Sequence, residues 1–170
     1  MKIDADQVLE LLSKSAASEL TMYYQYTLLS SILAECEGCN IREIVEAACY
    51  KDRKHFEALV ERIYQLGGML PSEINVWGDS PAGISATLSK DMQDIQGMLQ
   101  RLVETERRAV RNYTRLCNLA AGRDRATYHL ALGILNEELE HRAWFSQFIN
   151  DGLPGPAYDS ERPIYIDNES

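Results

Sequence analysis

Glu138-Leu139-Glu140-His141 decides how this chain is read, because the chain contains a counterpart to it. Glu106 stands 32 positions before Glu138, and Tyr113 follows Glu106 by seven. In the first half Asp52-Arg53-Lys54-His55 begins 33 positions after Glu19, and Tyr26 follows Glu19 by seven. Each half therefore supplies one carboxylate and then a carboxylate-x-x-histidine pair. Two of the chain's three histidines fall in these pairs. Residues three apart on a helix project from one face. Such a pair can hold one metal ion and still lend an oxygen to a second, so two related halves build a site for two metals.

Helical phasing supports the same reading. One apolar stripe runs through Val8, Leu12, Ala16, Glu19, Tyr23, Tyr26 and Leu33, and a second through Ile41, Val45, Ala48, Asp52, His55, Leu59 and Leu66. A third reads Leu99, Val103, Glu106, Val110, Tyr113 and Leu116; a fourth reads Ala131, Leu135, Glu138, His141, Phe145 and Phe148. All have the three-or-four spacing of an amphipathic helix facing a core. In each, the acidic residue lies on the stripe rather than beside it. A buried, unpaired carboxylate costs several kcal/mol, so four in one core require compensating charge, and metal ions provide it.

The charges balance. Glu19, Asp52, Glu106 and Glu138 carry four negative charges, and neutral His55 and His141 add none. Two divalent cations neutralise the set. Two trivalent cations with one bridging oxide do so as well, which suits both oxidation levels of a di-iron pair. Carboxylate and imidazole donors fit iron or manganese, and the absence of thiolate donors argues against a structural zinc site.

At 170 residues the chain is one domain with room for a sizeable core. It has 17 basic and 26 acidic side chains and a net charge of −9. That disfavours nucleic acid and anionic membranes as partners and suits a protein that collects cations. No apolar run approaches a membrane span. Met1-Lys2-Ile3-Asp4-Ala5-Asp6 lacks the apolar region of a signal peptide, so a cytoplasmic location is expected, with its four cysteines reduced. Cys36-Glu37-Gly38-Cys39 has no second pair to complete a zinc site and no strand-helix context for a redox motif. Cys49 and Cys117 read as small buried hydrophobes.

Four long helices are expected, over 6–35, 41–66, 89–120 and 125–150. Asp4 or Asp6 is the expected first cap, and Gly67-Gly68 closes the second helix. Pro71, Gly78, Pro81 and Gly83 mark a long crossover over 69–85, and Gly122-Arg123-Asp124 a turn. The predicted fold is all-α: an antiparallel four-helix bundle over residues 1–150, with one long crossover between helices two and three. Residues 151–170, rich in proline and glycine, form an irregular tail with a short extended piece at Pro163 to Ile166.

Particular residues carry a resemblance. Glu19-Leu20-Thr21 leading to Gln25-Tyr26 is similar to the first helix of bacterioferritin. Glu104-Thr105-Glu106 through Asn112-Tyr113, then Ile134-Leu135-Asn136-Glu137-Glu138-Leu139-Glu140-His141 and Trp144-Phe145, resemble the Dps-like subgroup of the ferritin superfamily, the thioferritins. The donor set itself, one carboxylate from each of two helices and a carboxylate-x-x-histidine pair from each of the others, is that of ferritin-like bundles. The resemblance covers nearly all of residues 5–150. It implies a hollow homododecamer that oxidises Fe(II), with hydrogen peroxide in preference to O2, and stores the ferric product against oxidative stress. Two iron ions per subunit are implied, with manganese or zinc as alternative occupants. Glu19 and His55 would hold one metal, Glu106 and His141 the other, with Asp52 and Glu138 bridging. Tyr23, Tyr26 and Tyr113 would lie behind these ligands, where hydroxyls orient carboxylates.

The chain departs from the family pattern in three places. Asp52 stands where glutamate is usual and is shorter by about 1.3 Å of reach, so the metal beside Glu19 and His55 is expected to be the weaker. No cysteine lies between Cys49 and Cys117, so the thioferritin disulfide would need Cys49 as a substitute. Arg53 replaces the methionine that holds bacterioferritin haem, so no haem is expected. The rival reading is a non-storing di-metal enzyme, a rubrerythrin-type peroxidase or a manganese catalase. A rubrerythrin would carry two C-x-x-C pairs, and this chain has one. DNA binding through a basic arm is disfavoured, since the first seven residues hold only Lys2. Glu104 should point away from the site and Glu140 should face solvent or a neighbouring subunit. Glu137 could pair with His141, but Glu138 lies nearer the seam. His129 is expected at the surface.

Overall fold

A computed structural model describes residues 5–34, 41–73 and 94–151. They form α1 (Ala5–Leu33), α2 (Ile41–Gln65), α3 (Ile95–Ala120) and α4 (Arg125–Asp151). Among the described residues no helix is long and apolar enough to cross a membrane. Cys36, Cys39, Asp4, the extended piece at Pro163 to Ile166, most of the crossover and the tail beyond 151 lie outside the described residues.

The helices pack as two hairpins, α1 with α2 and α3 with α4, which join through α1 against α3 and α2 against α4. Contacts between them run in opposite senses. Along α1 and α2, Ser30 meets Glu46 and Glu19 meets His55; across α1 and α3, Tyr26 meets Glu106 and Tyr113 meets Glu19. Since α2 and α3 are both antiparallel to α1, they run parallel to each other. The chain must therefore travel the length of the bundle between them. For the 25 residues of α2 that is about 37 Å at the helical rise, which is why one connection is long.

The helix ends have local causes. Gly67 takes φ of 78°, a left-handed geometry that glycine adopts without a Cβ penalty. Its N–H and that of Gly68 then donate to Tyr64 and Ile63 carbonyls at 3.0 and 2.9 Å, closing α2. The expected start of α3 at Ser89 lies outside the described residues. Asp94 caps α3, with a carboxylate that accepts the Gly97 N–H at 2.8 Å. A side chain at Gly97 would collide with that carboxylate.

Two apolar clusters fill the interior. One contains Met22, Tyr26, Leu29, Leu33, Val45, Leu99, Leu102 and Phe145; the other contains Val8, Leu12, Leu59, Ile63, Tyr113, Leu116 and Ile134. The four stripes hold in direction but shift by one position in places. Met22 and Leu29 are buried on α1, whereas Tyr23 is at the edge. Ile63 is buried and Leu66 is exposed; Ala109 replaces Val110, and Ile134 replaces Leu135. The cause is the 3.6-residue period, which alternates steps of three and four and so carries the buried line from Glu19 to Met22 to Tyr26.

At the turn between α3 and α4, Asp124 accepts the Thr127 N–H at 3.0 Å and takes two bonds from Arg62 at 2.8 and 2.9 Å. Arg62 also donates to Thr127 Oγ1 at 2.8 Å. This ties α2 to the start of α4. Burial works against the Asp124 charge, but Thr127 and Arg62 outweigh it and hold the carboxyl below its usual range. Its stabilisation is present above the unfolded aspartate value of about 3.9 and is lost as pH falls through the lower folded value. Asp124→Ala should lower stability by about 2 kcal/mol, combining a cap with charged hydrogen bonds. Thermal unfolding of Asp124→Ala, Arg62→Ala and the double variant should show a combined loss smaller than the sum, because the two residues share partners.

Candidate metal centre

Between the two apolar clusters the four helices bring six polar side chains together. Glu19 comes from α1, Asp52 and His55 from α2, Glu106 from α3, and Glu138 and His141 from α4. None is more than 5% exposed. Donor atoms of Glu19, Asp52, His55 and Glu138 all lie within 4.8 Å of one another, and so do those of Glu106, Glu138 and His141. Glu138 belongs to both groups and Asp52 to one. Asp52 Oδ1 also lies 3.8 Å from His141 Nδ1 of the second group, so the aspartate sits between the two groups as well.

The tyrosines cross the bundle. Tyr26 of α1 donates to Glu106 of α3, and Tyr113 of α3 donates to Glu19 of α1 at 2.6 Å. Each half's phenol thus orients the other half's glutamate. Burial, reinforced by the neighbouring carboxylates, raises both phenols well above their usual pKa, so they remain donors. Tyr26 also stacks on Phe145, with centroids 5.7 Å apart. Tyr23 does not join them. It is half-buried near Arg53, and its carbonyl accepts from Thr27.

The two imidazoles face each other with centroids 6.5 Å apart. His55 Nδ1 bonds Glu19 at 3.2 Å. Glu138 Oε1 is 3.1 Å from the same nitrogen but lacks hydrogen-bond alignment. His141 Nδ1 lies 3.7 to 3.9 Å from Asp52, Glu106 and Glu138, again without a hydrogen bond. Glu137 was not expected at His55, yet its carboxylate lies 2.9 Å from His55 Nε2. The spacing along α4 pointed Glu137 toward His141; only the packing of α2 on α4 reveals the other partner.

Asp52 Oδ1, Glu138 Oε1 and both His141 nitrogens are buried with no hydrogen-bond partner. Each such group costs about 1–3 kcal/mol, and in this set they are oxygen and imidazole donors converging on one space. That is the chemistry of a divalent-cation site, arranged as two donor groups that share Glu138. Without cations, protons carry the compensation. Burial and then Glu19 and Glu106 raise the Asp52 carboxyl well above its usual range; burial and then Glu106 and Glu19 do the same for Glu138. Burial opposes a charge on His55, but the carboxylates of Glu137, Glu138 and Glu19 outweigh it and raise its pKa well above the usual value.

The remaining residues fall where local reasoning put them. Glu104 is on the outer face with Arg107, Glu140 is 58% exposed, and His129 is at the surface beside Arg125. Cys49 packs against one apolar cluster and Cys117 sits in the other, both as free thiols, so they do not form the pair considered above.

The raised values carry a sign. In the metal-free fold Asp52 and Glu138 keep protons that the unfolded chain releases near pH 4, so their contribution to stability is lost as pH rises through the folded values. His55 acts in the same direction above about pH 6.5. Glu106 and Glu137 are shifted down and act below about pH 4.3. The thermal midpoint of metal-free protein should therefore fall between about pH 5 and 8. Cation uptake should release protons into weak buffer. A midpoint that climbs across this window would contradict the protonated cluster.

Residues 9–152 match the ferritin-like domain family. The chain is 46% identical over 161 residues to the DNA protection during starvation protein of Pyrococcus furiosus, covering 95% of this chain and 86% of that relative. Its fold is similar to that of a dodecameric thioferritin, the bacterioferritin-related protein of Bacteroides fragilis. The TM-score is 0.75 at 25% identity, over 88% of each chain. It also resembles Mycobacterium tuberculosis bacterioferritin in fold, with TM-score 0.71 at 21% identity over 88% of this chain and 87% of that one. Four antiparallel helices around a buried carboxylate and histidine cluster, together with these likenesses, place the chain in the ferritin family.

Proposed function

We propose that this chain is a subunit of a hollow iron-storing cage whose buried centre oxidises Fe(II), with hydrogen peroxide as preferred oxidant and O2 as the alternative, and so limits oxidative damage. The observation that carries this reading is the pair of donor groups joined by Glu138. Two Fe(II) ions are the substrate. Glu19, Asp52 and His55 would hold one, Glu106 and His141 the other, with Glu138 shared. Two ions with a common carboxylate deliver two electrons together. The balance is two Fe(II), one peroxide and two protons giving two Fe(III) and two waters, which avoids one-electron reduction to hydroxyl radical. Fe(II) arrival would displace protons from Asp52 and Glu138, whose carboxylates then balance the charge of the ions. Tyr26 and Tyr113 keep Glu106 and Glu19 aimed as charge changes.

Self-association into a dodecamer is supported by the likeness to the dodecameric thioferritin. Exposed apolar side chains on the outer sides of α1 and α2 offer contact surface: Tyr24 at 62%, Tyr50 at 60% and Tyr64 at 55% exposed. The net charge of −9 favours cations over nucleic acid as partners.

Light scattering should give about 230 kDa, twelve chains of 19.3 kDa; a monomer or dimer at micromolar concentration would refute the cage. Anaerobic titration with peroxide should consume about two Fe(II) per peroxide. Glu138→Ala should slow the fast phase by at least about tenfold, whereas Glu104→Ala should change little. Equal losses in the two variants would refute the proposed ligand set.

A further inference from the structure

The two halves of the centre are related position by position: Asp52 corresponds to Glu138 and His55 to His141. The residue just before each carboxylate then forms another pair, Lys51 and Glu137. Glu137 reaches across from α4 to His55 Nε2 at 2.9 Å. Symmetry would have residue 51 reach from α2 to His141 Nε2 in the same way. A lysine ammonium has no acceptor atom, and His141 Nε2 has no hydrogen-bond partner.

Lys51 has another use. It is only 9% exposed, unusual for a lysine unless it is paired. Its ammonium lies 3.8 Å from Glu137, 3.5 Å from Glu140 and 5.3 Å from the Trp144 ring centroid. Lys51 thus donates to Glu140 and also stands as an ion-pair partner beside Glu137, the carboxylate that meets His55. Trp144 in turn stands 5.7 Å from the His141 ring, so His141 has an aromatic wall where His55 has a carboxylate.

We propose that Glu137, braced by Lys51, is the positioning residue of His55, and that the same lysine leaves His141 unbraced, so that the centre loads divalent cations in order. The first cation binds among Glu19, Asp52, His55 and Glu138; the second binds among Glu106, Glu138 and His141 and is the one that exchanges. Physically, a histidine whose far nitrogen is fixed by a carboxylate presents its near nitrogen in one orientation and as a better donor. The inference rests on the metal-centre reading above and adds which half is prepared in advance.

The test uses the full metal-free protein and Co(II), added without oxygen and followed by visible absorption and calorimetry. The native protein should take up two Co(II) per chain in two separate steps. Glu137→Ala should weaken the first step by about 10–100-fold and leave the second within about threefold. Glu137→Gln, whose amide oxygen still accepts from Nε2–H, should restore much of the first step. Lys51→Gln supplies an acceptor on the other side and should strengthen the second step; because it also removes the charge beside Glu137, the first step should weaken. Thermal midpoints near that of the native protein would separate positioning from loss of fold. Native protein that binds no Co(II) would overturn the metal-centre reading itself. Two Co(II) bound in one step, with Glu137→Ala unchanged, would overturn ordered loading alone. Equal losses in the alanine and glutamine variants would overturn the positioning role of Glu137.

Discussion

Four carboxylates and two imidazoles share one dry interior, and the rest of the bundle is arranged to keep them there. Each charge would be expensive alone. Together they are tolerable because protons or cations supply the balance, and the same cost makes the cluster a strong attractor for metal. The apolar clusters on either side, with Tyr26 in one and Tyr113 in the other, set the spacing of the helices and exclude water. Stability and cation binding are therefore not separate properties of this fold. The atoms that weaken the metal-free protein are the atoms that hold the ions.

Approximate symmetry organises this interior. Tyrosine and glutamate exchange partners between α1 and α3, and carboxylate-x-x-histidine pairs face each other from α2 and α4. Such exchange links the hairpins through hydrogen bonds that no single hairpin could make. Where the symmetry breaks, it breaks in ways that bear on metal: aspartate for glutamate at 52, and lysine for an acceptor at 51. The first shortens a carboxylate that lies between the two donor groups, and the second places an ammonium beside Glu137 and Glu140.

The long crossover follows from the same arrangement. Bringing α2 against α4 and α1 against α3 with every neighbour antiparallel forces the chain back along the bundle once. The Arg62–Asp124–Thr127 network fastens the far end of α2 to the start of α4. It keeps the two histidine-bearing helices in register at a distance from the histidines themselves.

Local pattern was enough to read four helices, the turns at Gly67-Gly68 and Gly122-Arg123-Asp124, and the six residues gathered at the centre. A helix repeats every 3.6 residues whatever surrounds it, so an acidic residue on an apolar stripe is visible in a string of letters. The twofold recurrence of Glu19 and Tyr26 in Glu106 and Tyr113 was legible for the same reason. Tertiary structure alone decided which helix faces which, and at what rotation. It placed Met22 inward and Tyr23 at the edge, and put Cys49 and Cys117 in different clusters. It also aimed Glu137 at His55 rather than at His141, its neighbour on the same helix. Spacing along one helix says which side chains share a face, but a partner on another helix depends on packing of the whole interior, and no local period encodes that.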